Sequence, residues 1–563
     1  MLSSVSIKRL NALLDQTSKA MKSPKAGTEY LPSRLLDVNS GSDGRVRLAT
    51  NKDVKLKRGR QPVRYMALSY CWGSEQQAEQ QLKTTSSSLR RHLNRISISK
   101  LPKTVADAVQ LCKALGIRYL WVDALCIIQD DKDDWAQEAS EMANVYSNSH
   151  VTLCILRGSS CLEGFLESKY APKTLGVKFS SVLDPAVTGK LYLRMLRPPE
   201  ETIDVVCLAL KGTPGQRAQV PGHLDFENSV WQTRAWTFQE ARLSPRKLYV
   251  GEDMFHMSCG SVHESADGSG FFDGLSSMGA HDDASFDHMQ QWYGLVSDYA
   301  KRNLTYEKDR FPAFAAIAKT FSDRFPGDEY VAGLWKSDLH RGLLWTPGSS
   351  TTFEEHFRLP DHGYVAPSWS WAHRRHSVAW VQGNDDDKSV FIPECEWQDI
   401  SIVHSSLNPF GSIASAHIRM SARAMQLFPP VAGRKLSRAP DEEVVYLGFG
   451  FYFTIKSGTG EYMADLHLDW LLLGCDRGKH PDGPIDELWM VLVASSTLEV
   501  RDSGWAPRGG RQVTEPERML GLLVLPTGNA DEFIKVGLWY SEGRELGGRK
   551  LWDGVQERSI KLV

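Results

Sequence analysis

The sequence predicts an α/β fold: an open parallel sheet flanked by helices, then a helical extension and a β-rich C-terminal region. Three observations predict it. Short apolar runs at Tyr65-Met-Ala-Leu-Ser-Tyr, Tyr119-Leu-Trp-Val and Val151 to Leu156 suit strands buried on both faces. Two segments with apolar residues at helical spacing separate them, giving the β-α-β-α-β alternation of a parallel sheet. Beyond residue 385, strand-like runs punctuated by Gly, Pro and Asp replace that alternation.

Length and charge set further bounds. A chain of 563 residues has room for several domains. The expected divisions are a polar leader (1–29), a sheet domain (30–260, core 65–156), a helical, Trp-rich extension (261–384) and a β-rich domain (385–563). Lys and Arg total 66 against 68 Asp and Glu, so no global charge draws the chain to nucleic acid or an anionic membrane. The N-terminus lacks the apolar core of a secretory signal, and the most apolar stretch, Leu466 to Leu473, is broken by Asp469. Nine scattered cysteines fit a reducing compartment, so the expected location is cytoplasmic, with no membrane span.

In chain order, Ile7, Leu10, Leu13 and Leu14 share a helical face in an otherwise loosely attached leader. Residues 30–49 read as a hairpin around Ser-Gly-Ser-Asp-Gly, and the basic 51–64 stretch as a solvated loop. The first core strand ends in Cys71-Trp72-Gly73, and a polar linker follows. The next helix has Pro102 near its start, Thr104 and Asp107 as a capping box, and Gly116 as its stop. Its buried stripe is Val105, Ala108, Val109, Cys112 and Leu115. Strand 119–122 leads through the acidic turn Asp130 to Asp134, which can cap the following helix.

That helix carries the anomaly. Its apolar stripe is Trp135, Ala139, Met142 and Tyr146, and Glu138 lies on the same face, so a carboxylate points at the sheet instead of water. Ligands of such sheets collect beyond the carboxyl ends of the strands. Ser69, Tyr70, Trp72, Asp123, Trp135 and Glu138 converge on that rim. A hairpin is expected near Lys190, and Ser229 to Cys259 holds a helix from Thr233 to Ala241, a strand from Lys247 to Val250 and a second polar-aromatic block. Helices are expected over 286–300 and 311–325, and Pro367-Ser-Trp-Ser-Trp-Ala places two tryptophans at strand spacing. The β-rich region suggests a sandwich or barrel from strands near 418–424, 444–454, 488–494, 520–525 and 534–539.

Three blocks together resemble the fungal heterokaryon incompatibility (HET) domain: Tyr65 to Gly73 (YMALSYCWG), Leu101 to Ile155 and Arg234 to Glu240 (RAWTFQE) with Arg246-Lys-Leu. HET domains in turn resemble the flavodoxin-like Toll/interleukin-1 receptor (TIR) fold. Leu68-Ser69-Tyr70 is similar to its first-strand motif and Trp135-Ala-Gln-Glu138 to its W-x-x-E. The resemblance implies Glu138 as the catalytic carboxylate of an NAD hydrolase, with NAD as substrate and no bound cofactor. It implies Ser69, Tyr70, Trp72, Gly73, Asp123, Trp135, Arg234, Trp236 and Glu240 as substrate-binding residues.

The chemistry is modest: nicotinamide leaves neutral, so a carboxylate facing the oxocarbenium charge and aromatic walls suffice. The bland alternative pairs Glu138 with an arginine such as Arg234 or Arg118. Asp123 can anchor its loop, and Arg234 with Glu240 can form a clamp instead of a ligand site. Cys126 reads as a buried small hydrophobe. His256-x2-Cys259-x3-His263 has metal-like spacing but no fourth ligand, so no metal is expected. No phosphate-binding glycine loop or nucleophile elbow is present. The expected function is a cell-death effector of self/non-self recognition, activated by self-association or by an allelic or non-allelic protein partner. The alternatives are a non-catalytic signalling scaffold and an accessory protein of a biosynthetic pathway.

Overall fold

The computed structural model describes residues 4–20, 30–40, 45–58, 63–167, 173–180, 188–195, 225–226, 229–252, 254–260, 262–266, 270–271, 288–348, 363–381, 391–405, 408–427, 435–438, 452–457, 459–469, 487–496 and 518–563. It divides into two compact units, Met1–Asp283 and Ala284–Val563, so the helical extension and the β-rich region share one unit.

The first unit is built on a nine-stranded sheet. Its centre is β3 (Tyr65–Ser69), β5 (Tyr119–Trp121), β6 (Val151–Ile155) and β9 (Arg246–Val250), every residue of which is buried except Arg246 at the start of β9. These four run parallel in the spatial order β5-β3-β6-β9. By chain order that is 2-1-3-4, the doubly wound pattern whose order reverses between the first and third strands. The flanks are antiparallel: β1 (Arg34–Asp37), β2 (Arg45–Thr50) and β4 (Ile96–Ser97) extend the β5 edge, and β10 (Phe255–Cys259) and β11 (Val262–Ser265) the other. The sheet is therefore mixed, parallel only at its core. The predicted hairpin at the N-terminus exists as β1 and β2, and a second hairpin pairs β7 (Lys173–Ser180) with β8 (Thr188–Met195).

Several local expectations are corrected. Helix α1 (Ser4–Ala20) is not loosely attached: Leu10, Leu13 and Leu14 are buried in the main core, and Arg9 pairs with Glu264 at 2.6 Å. The basic stretch begins as helix α2 (Asn51–Arg58), because Thr50 and Asp53 cap each other reciprocally and Val54 is buried. The polar linker holds α3 (Glu75–Glu79), whose capping box is Ser74 with Gln77, and α4 (Leu89–Asn94). Helix α5 (Lys103–Ala114) buries the predicted stripe and stops at Gly116, with φ +71°. Its proposed capping box is absent. Buried Asp107 instead accepts the Phe165 and Leu166 amides at 2.7 and 3.0 Å, tying the chain after β6 to α5.

In the second unit, the helices His288–Ala300 and Ala315–Arg324 bury Trp292 and Phe321. Strands Tyr330–Val331 and Leu334–Trp335 form a hairpin whose turn, Ala332-Gly333, has positive φ at both residues. The tryptophans at 369 and 371 are fully buried but not on a strand; residues Trp371–His373 form a 3-10 turn. Trp371 and Trp292 both donate their indole N–H to the Gly333 carbonyl, at 2.7 and 3.2 Å. Two χ angles and a directional donor pin each ring more firmly than strand alternation would.

The C-terminal strands close a ring. Ile413–Gln426 pairs with Trp489–Ser496 and Glu557–Leu562; Arg518–Pro526 pairs with Trp489–Ser496 and Glu532–Ser541; Glu532–Ser541 pairs in parallel with Glu557–Leu562. Five strands thus close into a barrel, and Cys395–His404 beside Ile413–Gln426 and Tyr462–Leu468 beside Glu532–Ser541 extend the sheet beyond it. Of the expected strand 444–454, Tyr452–Lys456 covers the end, and 444–451 lie outside the described residues.

Gly333 and Gly363 make a matched test of packing. Both have positive φ, but a Cβ on Gly333 would meet Trp371 Nε1 at 2.4 Å, whereas Gly363 has open space. Each Gly→Ala change carries a backbone cost of about 1–2 kcal/mol, and only Gly333→Ala adds a clash with a buried indole. Thermal unfolding should show a clearly larger drop in midpoint for Gly333→Ala than for Gly363→Ala; equal drops would refute the packing role.

Candidate functional site

At the carboxyl ends of the parallel strands the chain places two separate carboxylate centres. The first surrounds Glu138 on helix α7 (Lys132–Ser147), which follows the one-turn helix α6 (Asp123–Cys126). Asp131 caps this helix by accepting the Asp133 and Asp134 amides, as the acidic turn implied. The buried face runs through Glu138, Met142, Val145 and Tyr146. Glu138 is 3% exposed, so the inward carboxylate is real, but Trp135 is 39% exposed and points away from that face. The expected stripe through Trp135 is wrong, since the position one turn before Glu138 belongs to Asp134.

Asp134 earns that position through contacts. It accepts the Ile128 amide at 2.8 Å and pairs with Arg34 of β1 at 2.6 Å. The same guanidinium lies 3.4 Å from Glu138 and donates through Nε to the Cys126 carbonyl at 2.6 Å. Burial raises the Glu138 carboxyl above its ordinary value, while Ser33 and Arg34 oppose the shift. Glu138 therefore has an arginine partner, but it is Arg34, not Arg118 or Arg234; Arg118 pairs with Asp37 at 2.9 Å.

The second centre lies where the strand order reverses, between β3 and β6. Its scaffold is the block from Trp231 through helix α8 (Ala235–Leu243), which precedes β9. Ser69, the last residue of β3, donates its hydroxyl to Glu240 and accepts the Trp231 indole N–H at 2.7 Å. Tyr146 of α7 also hydrogen-bonds Glu240, and its hydroxyl lies 3.3 Å from the Leu68 carbonyl. Arg234 donates to the Tyr70 carbonyl at 2.5 Å. Asp123, at the end of β5, accepts the Trp72 indole N–H at 2.9 Å and the Ala124 amide at 2.7 Å. Tyr70 donates its hydroxyl to Gln81 at 2.6 Å.

The electrostatics follow from this packing. Glu240 is 8% exposed, and burial raises its carboxyl to about 7 against the pull of Ser69, Arg234 and Tyr146 toward ionisation; Asp123 adds to the rise. Burial likewise raises Asp123, countered by the Ala124 amide, Trp72 and Arg234. A site whose proton is held near neutrality can take or give one under physiological conditions. Arg234, Asp123 and Trp72 are partly exposed; the first two act on Glu240 through their charges, and Trp72 is held to Asp123.

The structure thus brings together Ser69, Tyr70, Trp72, Asp123, Arg234 and Glu240, and leaves Glu138 and Trp135 outside that network. Trp236 is partly buried against the main core. Gly73 has a conformational reason of its own: φ is +96°, and a Cβ would meet the capping Gln77 at 2.4 Å. Sequence reasoning missed Trp231, Tyr146 and Arg34. Trp231 lies in the dense aromatic block, and Tyr146 on the noticed stripe. Nothing local marks Arg34. Cys126 is fully buried with its thiol pushed up to about 12. His256 bonds Ser265 and Asp225 through its two ring nitrogens, each at 2.9 Å, and no group of three metal-ligating side chains gathers among the described residues. No helix among them is long and apolar enough to cross a membrane.

Residues 65–240 match the family model described as Heterokaryon incompatibility protein (HET). Comparison with curated proteins and with solved structures gives no match.

Two outcomes follow from the geometry. Glu240 binds its proton more tightly folded than unfolded, so its contribution is complete below about pH 4.5 and is lost as pH rises through about 7, a swing of roughly 3 kcal/mol. Glu240→Gln lacks that loss, so its unfolding midpoint should gain on wild type as pH goes from 5 to 8; a pH-independent difference would refute the shift. Arg34→Met leaves Asp134 and Glu138 without their cation and should destabilise the first unit by about 3 kcal/mol in chemical denaturation, whereas a neutral effect would make the pairing incidental.

Proposed function

From a chain whose residues 65–240 are a HET domain, we propose an effector of the heterokaryon-incompatibility type that cleaves NAD at the Glu240 centre and thereby triggers cell death. The observation that carries this reading is a buried carboxylate, raised to about 7, at the strand-order reversal of a 2-1-3-4 parallel sheet. In the reaction the C–N bond between nicotinamide and ribose breaks and neutral nicotinamide leaves. Water attacks the ribosyl carbon and gives ADP-ribose and a proton. Ionised Glu240 faces the positive charge developing on the ribose and accepts the proton of the attacking water. Arg234 suits the pyrophosphate charge, and Trp72 offers an aromatic face to a base.

Glu240 is closed in by its own hydrogen bonds in the resting fold. That supports a latent enzyme, switched on by self-association or a protein partner that loosens the Trp231 block. A second reading keeps the W-x-x-E carboxylate, Glu138, as the catalytic group. Its burial and raised carboxyl favour it, while the neighbouring Arg34 cation works against its stabilising a second positive charge.

The test measures nicotinamide release from NAD by the full chain at high concentration, with Glu240→Gln and Glu138→Gln in parallel. Wild-type turnover should rise with pH through about 7, as Glu240 ionises. Glu240→Gln should lower turnover by about 100-fold or more, and Glu138→Gln should retain most of it. The reverse ranking would transfer the role to Glu138. Full activity in both variants, or cell killing without NAD loss, would refute the enzymatic reading in favour of a signalling scaffold.

A further inference from the structure

The first unit holds a second concave feature that NAD cleavage does not use. A cavity of about 290 Å³ opens beside α4 and the edge strand β4, lined by Arg45, Arg91, Arg95 and Lys100. These cations come from three segments: the start of β2, α4 with its C-cap, and the turn Ile98–Lys100. No Asp or Glu among the described residues lines it. In a chain whose 66 basic and 68 acidic residues nearly balance, the exposed Arg91, Arg95 and Lys100 gather positive charge around one hollow, a local field that favours an anion. The remaining wall is not featureless. Leu82 and buried Ile96 supply an apolar surface, and His92, 2% exposed, contributes an imidazole whose Nδ1 bonds Thr84 Oγ1 at 3.0 Å.

We propose that this cavity binds a phosphate-bearing small molecule, pyrophosphate to mononucleotide in size, through Arg91, Arg95 and Lys100. A concave site of this volume holds a compact polyanion, whereas an extended nucleic acid would need a basic stripe along a face. Guanidinium groups suit phosphate oxygens because their planar forks can donate two parallel hydrogen bonds. The site is separate from the Glu240 network, yet the chain joins them closely: Thr84, bonded to His92, donates its amide to Ala124 at 2.9 Å, next to Asp123, and accepts from the Gln129 amide at 2.8 Å. The cavity wall is thereby joined to the rim through one short segment.

Isothermal titration of the full chain with inorganic pyrophosphate and with ADP tests the proposal. Wild type should bind at least one, more weakly as salt is raised. Arg91→Ser combined with Arg95→Ser should weaken binding by about tenfold or more, because two charge-assisted contacts go together. Lys100→Gln, at an exposed position, provides a second variant whose weakening does not depend on helix α4 staying intact. Glu240→Gln should bind as wild type does, so loss of NAD cleavage and loss of this site remain distinguishable. Binding of neither ligand, binding undiminished in the basic-site variants, or binding of a single-stranded RNA oligomer in place of both would overturn it.

Discussion

The first unit depends on how one carboxylate is housed. Glu240 is withdrawn from water beside the carboxyl end of β3, which opposes its ionisation, and hydrogen bonds from Ser69 and Tyr146 together with the charge of Arg234 oppose that effect in turn. Ser69 comes from β3, Tyr146 from α7, and Arg234 from the residue before α8. A buried polar group of this kind is tolerable only when its hydrogen bonds are met, so each of these elements has to arrive in register for the others to be stable. The short apolar strands provide the burial; the polar network specifies which segments cross above them.

The two carboxylate centres divide the work of the rim. Around Glu138, the cation Arg34 grips Asp134 closely and reaches Glu138 less closely, while its Nε holds the Cys126 carbonyl. That arrangement joins β1, the turn after β5 and α7, and sets one cation between two carboxylates. Around Glu240 the balance is different: the partner carrying positive charge, Arg234, is partly exposed and bonds a backbone carbonyl, so the carboxyl keeps a proton affinity near neutral pH. A salt-bridged carboxylate and one that keeps its proton to near-neutral pH thus share one edge of one sheet, distinguished by what surrounds each.

Much of the fold was legible because its signals are local. Apolar strand runs, the α5 stripe, the Gly116 stop and the Asp131 cap each depend on residues within a few positions of one another. The order β5-β3-β6-β9 and the addition of β1, β2 and β4 to the sheet depend on crossover packing, which no window of sequence records. Of the residues singled out at the rim, Ser69, Asp123, Arg234 and Glu240 come together in the structure. Trp135 was assigned inward on hydrophobicity alone, and the structure turns it outward. The Arg34–Asp134 contact that decides the α7 face spans 100 residues. Thr104 and Asp107 show the same limit, since their capping-box spacing is correct but Asp107 is committed to the distant Phe165 and Leu166 amides.

The central claim is that Glu240 holds its proton to near-neutral pH at the strand-order reversal. Infrared difference spectroscopy of the full chain, wild type against Glu240→Gln, reads that proton directly through the carboxyl C=O band. The account predicts a protonated-carboxyl band at pH 5.5, missing from the variant and fading with a midpoint near 7. A band already lost by pH 5.5, or one identical in the variant, would contradict it.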